Sequence, residues 1–322
     1  MEEESVVSSK YSQSHLLMGT IVKMDVCYEP GRKDALEPIY KEVWNRLIQI
    51  ERIFSAHHPE SDVFRFNQLA KGTIEVHPQM HFLFREAKNY HDLTKGTFDV
   101  TIRPLIRLWE KSQEEGDFPT EQDLEEAKKN IGFRNVHLLS GNRIQKDDDQ
   151  IEVDFGGLAK GYAADEAARV FRENGIFNFH IDVGGDLYVG GYNCKGEPWR
   201  IGIRNPWDTS QIVDVVHVSN VAVTTSGNYE RYYTIQGEKF SHIINPLTGL
   251  PQRDIISATV IAPSAMEADA LSTSMTILKP QEVEDLIGRL AQPEQYAYFI
   301  IANDEEGRQT IHKSKNFEQY DH

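Results

Sequence analysis

The sequence predicts an α+β fold, built as a single domain over residues 1–322 with an ordered core at about 15–312. Long apolar-periodic segments typical of amphipathic helices occupy the first part of the chain. After about residue 135, short strand-like segments separated by Gly and Asn turns take over. Because the two kinds of element are segregated rather than strictly alternating, an α+β fold is favoured over a doubly wound parallel sheet.

Helical periodicity is clearest between Leu36 and Phe54, where apolar residues recur every three or four positions. This spacing predicts one long amphipathic helix. A second helix is predicted at 160–174, ending before Gly175, and a pair of helices follows at about 264–290.

The stretch 118–132, FPTEQDLEEAKKNIG, carries its own start and stop signals. Thr120 is the predicted N-cap, Asp123 stands three residues later, and Gly132 ends the helix. The preceding EKSQEEGD at 110–117 is highly charged, so we expect a solvated linker there.

The strand-like segments are rich in β-branched residues and bounded by turn residues. The first, LLMGTIVKMDVCY at 16–28, is predicted to be a strand entered through Met18-Gly19-Thr20. The later ones include HLLSGNRIQ, HIDVGGDLYVGGY, WRIGIRNP and DVVHVSNVAVTTSG. The final KSKNFEQYDH is polar, and we expect it to be loose.

Composition excludes several classes of protein. The 322 residues are 39% hydrophobic, enough for a large core, and 34 Lys+Arg against 50 Asp+Glu give a formal net charge of -16. Such an acidic chain is a poor non-specific binder of nucleic acid or of anionic membranes. The N-terminal MEEESVVSSKYSQSHLL lacks the basic start and apolar stretch of a signal peptide, and no window resembles a membrane span. A cytoplasmic protein is therefore predicted.

Cys27 and Cys194 are the two cysteines. Their positions form neither a CxxC pair nor a metal-ligand spacing, so the sequence predicts neither a disulfide framework nor a structural zinc site. A reducing compartment agrees with this usage.

Two glycine-rich segments are candidates for binding. In DFGGLAKGYAAD, at 154–165, glycines lead from a strand end into a helix, where backbone N–H groups are available to phosphate. The alternative is tight strand-to-helix packing without a ligand; the pattern is neither GxGxxG nor a P-loop. In DVGGDLYVGG, at 182–191, glycines within a strand indicate close backbone approach or a bulge.

Polar groups stand out in two further segments. FSHIINPLTGLPQR, at 240–253, holds His242 just before a turn, as a candidate general base or as a structural histidine. In EADALSTSM, Asp269 and Thr273 are four residues apart and so share one helix face. Their oxygens suit Mg²⁺ bound together with substrate phosphates. The alternative is that Asp269 caps a helix or forms a salt bridge and that Thr273 packs its methyl group.

These segments, in this order, resemble the ApbE family of flavin transferases, which transfer FMN from FAD to a threonine or serine of a protein. The resemblance runs over nearly the whole chain through LMGT, FSAHHPESDVFRFN, GTFDVTIRPL, DFGGLAKGYAAD, HIDVGGDLYVGG, TTSGNYERYY, SHIINPLTG and EADALST. It implies an α+β flavin transferase fold, with mixed or antiparallel sheets and flanking helices around a central FAD cleft.

The resemblance also implies roles for individual positions. FAD contacts fall on Met18, His57, Thr97, Phe98, Asp99, Lys160 and Ile244. Mg²⁺ ligands fall on Asp269, Thr273 and the carbonyl oxygen of Ala163, and His242 is placed beside the phosphates as the base. Position 57 carries His where many relatives carry Tyr, and Thr97 replaces a common Ala. Many members are exported lipoproteins, whose signal and lipobox cysteine this sequence lacks.

The implied reaction is Mg²⁺-dependent transfer of FMN to an acceptor flavoprotein, with release of AMP. Family acceptors include subunits of sodium-pumping NADH:quinone reductases, of Rnf-type complexes, and flavin-bearing domains of some reductases. Two alternatives use the same residues: hydrolysis of FAD to FMN and AMP, and FAD binding without catalysis. A nicotinamide dehydrogenase is disfavoured because no Rossmann fingerprint is present.

Overall fold

A computed structural model describes residues 8–228, 232–304 and 306–321. The strands within these ranges are β1 (Ser9–Leu17), β2 (Thr20–Tyr28), β3 (Gly72–Glu75), β4 (Val136–Leu139), β5 (Arg143–Lys146), β6 (Phe179–Val183), β7 (Asp186–Gly190), β8 (Trp199–Arg204), β9 (Ile212–Val218), β10 (Val221–Gly227), β11 (Tyr232–Ile235), β12 (Glu238–Ser241), β13 (Ile255–Ala262), β14 (Ala297–Asn303) and β15 (Gln309–Lys313). The helices are α1 (Leu36–Phe54), α2 (Asp62–Gln68), α3 (Pro78–Leu93), α4 (Arg103–Glu115), α5 (Glu121–Lys129), α6 (Ala159–Glu173), α7 (Ala265–Met275) and α8 (Pro280–Ile287).

The centre of the fold is an eight-stranded sheet in the order β1-β2-β6-β7-β10-β13-β14-β15. Every neighbouring pair in it is antiparallel. Small sheets β3-β5-β4, β8-β9 and β11-β12 surround it. This architecture confirms the predicted α+β class, because the sheet is built from antiparallel strands and not from parallel strands joined by crossover helices.

Both faces of the sheet are covered. On one face, α1, α6 and α7 pack against the strands and bury the largest apolar cluster, which includes Tyr40, Leu47 and Phe171. On the other face, the β8–β9 ribbon buries a second cluster around Trp199, with Phe299 from β14. A strand covered on both faces is largely apolar, and β13 is buried at all of its positions, with Ser257 and Thr259 as its two polar residues.

The amphipathic helices agree with their sequence patterns. The predicted helix from Leu36 to Phe54 is α1, with the same bounds. The helix predicted at 160–174 is α6, and the pair expected at about 264–290 is α7 and α8. Thr120 caps α5 in a capping box with Asp123, as predicted.

One local prediction is wrong and another is incomplete. Residues 110–117 do not form a linker, because α4 continues to Glu115 and buries Trp109 and Ser112 on its inner face. The strand predicted at 16–28 is β2, entered at Thr20 through Met18 and Gly19, but residues 16 and 17 belong to a preceding strand, β1, whose Leu17 pairs with Thr20 to form a hairpin. The edge strand β1 is polar and lacks an alternation of apolar residues, so its sequence does not predict a strand.

The C-terminal segment is also better ordered than expected. Residues Phe317–Tyr320 form a short 3₁₀ helix, and the Phe317 side chain is fully buried against Phe299. Residues 1–7 of the N-terminal stretch and 229–231 of TTSGNYERYY lie outside the described residues.

The cysteine prediction is corrected by the structure. Cys27 of β2 and Cys194, in the loop between β7 and β8, form a disulfide although they are 167 residues apart. Spacing along the chain cannot reveal such a pair, because the folded sheet and its ribbon bring the two residues together. In the parts of the chain that the structure describes, no helix is long and apolar enough to cross a membrane.

Candidate functional site

Helices α6 and α7 are held together unusually closely. A Cβ on Gly161 of α6 would lie 2.3 Å from the carbonyl oxygen of Ala265 and 2.8 Å from Cα of Met266. The Asp165 carboxylate accepts hydrogen bonds from the backbone N–H groups of these same two residues, at 2.8 and 2.9 Å. Burial raises the pKa of Asp165 to about 7, and these two hydrogen bonds oppose the rise. The last aspartate of DFGGLAKGYAAD therefore caps α7 and fixes its position.

This packing places a charged group at the junction of α6, α7 and β7. The Lys160 ammonium forms an ion pair with Asp186 Oδ2 and lies 3.7 Å from Asp269 Oδ2. The backbone N–H of Gly161 donates to the same Asp269 oxygen at 3.2 Å. Both aspartates are only 2% exposed. Burial raises the pKa of Asp269, and the Lys160 charge opposes this shift.

Hydroxyl groups adjoin the carboxylates. One turn beyond Asp269 on α7, the Thr273 hydroxyl lies 3.4 Å from Ser226 Oγ of β10. Ser226 Oγ is in turn 2.8 Å from Ser272 Oγ. A Cβ on Gly157, in the loop before α6, would lie 3.1 Å from Thr273 Oγ1 and 3.4 Å from the Phe98 ring. Glycine at this position lets the loop backbone approach the hydroxyl.

The donor set fits a hard divalent cation. Two buried carboxylates, those of Asp186 and Asp269, meet at the Lys160 ammonium. Thr224, which pairs with Asp186 across β10 and β7, has a fully buried hydroxyl without a hydrogen-bond partner among the described residues. Carboxylate and hydroxyl oxygens are the ligands that Mg²⁺ prefers. Across the described ranges, no group of three His, Cys, Asp or Glu forms a metal cluster of the classical kind.

The Thr97-Phe98-Asp99 segment is braced by the end of α3. Thr94 Oγ1 accepts from the Phe98 N–H at 3.0 Å, and the Thr97 hydroxyl donates to the Thr94 carbonyl at 3.1 Å. Asp99 Oδ1 accepts from the Thr101 N–H and hydroxyl at 2.8 and 2.6 Å. The Asp99 carboxylate is thus occupied within the protein, so ligand contacts from this segment would come mainly from its backbone.

His91 completes this brace. Its Nδ1 lies 3.3 Å from Asp99 Oδ2 as an ion pair rather than an aligned hydrogen bond. The Asp99 carboxylate raises the pKa of His91, and partial burial opposes the rise. Gly96 adjoins His91 and also Leu247, whose Cδ2 would lie 3.5 Å from a Cβ at position 96. The NPLTG turn therefore packs against this segment.

The NPLTG turn is rigid, as its sequence predicts. The Gly249 N–H donates to the Asn245 carbonyl, and the Asn245 N–H donates to the Leu250 carbonyl, each at 2.8 Å. Trp109 of α4 anchors the turn by donating to the Gly249 carbonyl at 2.9 Å. His242 is half-buried just before the turn, and Ile244 is buried and pairs with Pro251.

The remaining predicted contacts lie at the periphery. Met18, at the hairpin tip, has a positive φ of 53° and donates its N–H to Glu51 Oε1 at 2.6 Å. The adjoining Thr20 packs on Gly184, because a Cβ there would lie 2.3 Å from Thr20 Oγ1. His57 is exposed on the loop after α1, and its N–H lies 3.3 Å from Ser55 Oγ. Its role toward FAD stays a prediction.

Ala163 occupies a different setting from the other predicted metal ligands. It is fully buried in the second turn of α6. Its carbonyl oxygen belongs to the i to i+4 hydrogen-bond ladder of that helix, so a metal would share an oxygen already in use. By contrast, Gly157 is the loop residue in contact with Thr273. The Ala163 assignment also stays a prediction.

Sequence reasoning missed several members of this site. Asp186 lies in DVGGDLYVGG, where the pattern that stands out in the sequence is the glycines. Ser226 and Ser272 belong to TTSG and to LSTS. An aspartate inside an otherwise apolar and glycine-rich strand-like segment is a sequence signal for Asp186, whereas the two serines are recognisable only once α7 is packed on β10.

Known proteins match this chain along most of its length. The model of the ApbE family matches residues 18–299. The FAD:protein FMN transferase of Salmonella typhimurium is 31% identical over 301 residues, covering 91% of this chain and 84% of that protein. The flavin transferase ApbE from Vibrio cholerae has a TM-score of 0.83 at 28% identity, covering 97% of this chain and 99% of the other. The ApbE protein from Thermotoga maritima has a TM-score of 0.84, also at 28% identity, covering 98% and 100%. Sequence and structure thus agree that the chain belongs to the ApbE family.

Proposed function

We propose that this chain is an FAD:protein FMN transferase, which moves FMN from FAD to a threonine or serine hydroxyl of an acceptor flavoprotein and releases AMP. Family membership supports the transfer reaction, because matched relatives carry that name. The observation that carries the assignment of the chemistry is that the Lys160 ammonium meets two buried carboxylates, Asp186 and Asp269, the second of which lies one helical turn from Thr273 on α7.

FAD is the substrate, and its pyrophosphate belongs near the start of α6. The N-cap residue Leu158 makes no side-chain cap hydrogen bond, and the helix dipole at this end favours a phosphate, although the Gly161 N–H already donates to Asp269. Gly157 lets the preceding loop lie close to Thr273 and Phe98, and Lys160 offers an ammonium on a side chain that is 30% exposed. The braced segment Thr97-Phe98-Asp99, with Met18, His57 and Ile244, forms the rest of the proposed FAD contacts.

Asp269 and Thr273 are the proposed Mg²⁺ ligands, together with the Ala163 carbonyl oxygen implied by the family. When bound, Mg²⁺ neutralises phosphate charge and acts as a Lewis acid on the phosphoryl group. The close approach of α6 and α7 at Gly161 and the hydrogen bonds of Asp165 to the start of α7 together form what we call the α6–α7 clamp. This clamp fixes the position of the Asp269 carboxylate relative to α6, which favours catalysis by preorganised charge.

His242 is the proposed general base. The acceptor hydroxyl gives its proton to the imidazole while its oxygen forms a bond to the FMN phosphorus. The bond between that phosphorus and the bridging pyrophosphate oxygen breaks, and AMP leaves. The rigid NPLTG turn next to His242 supports this role, because a base must stay within about 3 Å of the proton that it takes.

The test is to incubate the purified protein with FAD and Mg²⁺, with and without an acceptor domain, and to quantify AMP and free FMN. Formation of AMP without matching free FMN, only when acceptor is present, supports transfer. Equal amounts of AMP and free FMN with or without acceptor would instead support FAD hydrolysis. No AMP in either case would favour an FAD-binding protein.

A cytoplasmic location and a cytoplasmic acceptor remain proposals. The Cys27–Cys194 disulfide counts against them, because disulfides persist mainly in oxidising compartments. Alkylation of thiols in intact cells, followed by mass spectrometry of the Cys27 and Cys194 peptides, decides between the two: alkylated cysteines support the cytoplasm, and a protected pair supports an oxidising compartment.

A further inference from the structure

Lys160 stands between two buried carboxylates that come from different elements. Its ammonium pairs with Asp186 of β7 and lies 3.7 Å from Asp269 Oδ2 of α7. The Lys160 side chain is 30% exposed, whereas each aspartate side chain is 2% exposed. The lysine is therefore the one member of this group that has solvent to move into.

A divalent cation bound at Asp269 would share one carboxylate with the Lys160 ammonium, which lies 3.7 Å from its Oδ2 atom. Two positive charges a few ångströms apart repel strongly where the surroundings exclude water. The aspartates are fixed, since Asp269 also accepts from the Gly161 N–H at 3.2 Å and both are buried in packed elements. The repulsion is relieved when Lys160 leaves Asp269, and phosphate oxygens in the cleft are the acceptors to which an ammonium would move.

We infer that Lys160 is an exchangeable counter-ion of Asp269 that couples binding of the divalent cation to binding of the pyrophosphate. Without a pyrophosphate ligand, the ammonium neutralises Asp269 and weakens Mg²⁺ binding. With the ligand present, the ammonium contacts phosphate and leaves Asp269 to the metal. Each ligand then strengthens the other by the same factor, as linkage requires. Asp186 anchors the lysine in both states. This inference rests on the metal assignment made above.

The first test measures binding alone. Mg²⁺ is titrated calorimetrically into ligand-free wild-type protein, Lys160→Met and the charge-retaining control Lys160→Arg. We expect Lys160→Met to bind Mg²⁺ at least about tenfold more tightly than wild type and Lys160→Arg to resemble wild type. Equal or weaker Mg²⁺ binding by a folded Lys160→Met variant would overturn the inference, and so would the absence of Mg²⁺ binding in every variant.

The second test measures the coupling. ADP carries the adenosine pyrophosphate of FAD but no FMN, so its affinity can be measured in EDTA and in Mg²⁺ without turnover. The solution complex of ADP with Mg²⁺ is common to all variants, so differences between variants report the protein. We expect Mg²⁺ to strengthen ADP binding by about tenfold or more in wild type and by much less in Lys160→Met. An unchanged Mg²⁺ effect in Lys160→Met would contradict the coupling.

Asp186→Asn is expected to change the Mg²⁺ affinity in the opposite direction. Its comparison with wild type can be made even if Lys160→Met fails to fold. Releasing the lysine toward Asp269 should weaken Mg²⁺ binding below that of wild type. The variant that combines Lys160→Met with Asp186→Asn should then bind Mg²⁺ as tightly as Lys160→Met alone, because Asp186 acts through the lysine. If the combined variant bound Mg²⁺ far more weakly than Lys160→Met, Asp186 would be a metal ligand and its role as anchor would be refuted. AMP formation enters none of these readouts, so the proposed transferase function and this inference can fail independently.

Discussion

Gly161→Ala probes the α6–α7 clamp on which the site depends. The added Cβ would lie 2.3 Å from the Ala265 carbonyl oxygen, against 3.4 Å or more for ordinary contact, so α6 and α7 must separate by about 1 Å. Overpacking of this kind costs about 1–3 kcal/mol of unfolding free energy. The obstacle is backbone, which cannot rotate aside. A displacement of Asp269 by about 1 Å relative to the start of α6 would also slow the reaction by about 10²-fold.

The assay combines urea unfolding with AMP formation from FAD, Mg²⁺ and acceptor. Gly288→Ala is the matched control, because its φ is -62° and its Cβ would lie 3.4 Å from the Glu284 carbonyl oxygen. This control should stay within about 0.5 kcal/mol of wild type and keep full activity. A Gly161→Ala variant as stable and as active as Gly288→Ala would show that the close approach of the two helices does not constrain the site.

Four further predictions concern single groups. Asp269→Asn should abolish Mg²⁺-dependent AMP formation with folding intact, as circular dichroism would verify; normal turnover would remove Asp269 from the metal site. His242→Ala should lower kcat about 10²-fold or more with little change in FAD affinity, and a change confined to that affinity would exclude the base role. Cys194→Ser should lower the unfolding free energy by about 2–5 kcal/mol in urea titrations under oxidising conditions, and equal stability would deny the disulfide a structural role. His91 is stabilised as a cation by Asp99, which raises its pKa, so its contribution is complete below about pH 6.5 and is lost as pH rises through the higher folded pKa. The stability difference between wild type and His91→Gln should therefore shrink from about pH 6 to about pH 9, and a difference that grows would reverse the assigned sign.

The long helices and the class of the fold were accessible from sequence because periodicity reports burial directly. Leu36–Phe54 has the same bounds in sequence and structure, since its apolar stripe faces the core along its whole length. The capping box at Thr120 was likewise legible because it is local. By contrast, β1 is a polar edge strand, and only its pairing with β2 makes it a strand.

Site residues were accessible where a motif concentrates them and hidden where tertiary packing creates them. The helical spacing of Asp269 and Thr273 and the glycines before α6 stand out in the sequence, and the structure brings Gly157 and Thr273 together. Asp186 reaches Lys160 from a separate strand. The Cys27–Cys194 bond depends on the same kind of long-range contact. Local sequence patterns do not predict such contacts between distant parts of the chain.

The most direct test of the transferase assignment is the intact mass of an acceptor domain after incubation with this protein, FAD and Mg²⁺. A gain equal to one FMN residue, located on a threonine or serine and absent when that residue is alanine or when Asp269→Asn replaces the wild-type protein, is the predicted result. The transferase assignment would be contradicted if an acceptor domain that a matched relative flavinylates stayed unmodified with this protein while AMP and free FMN accumulated together.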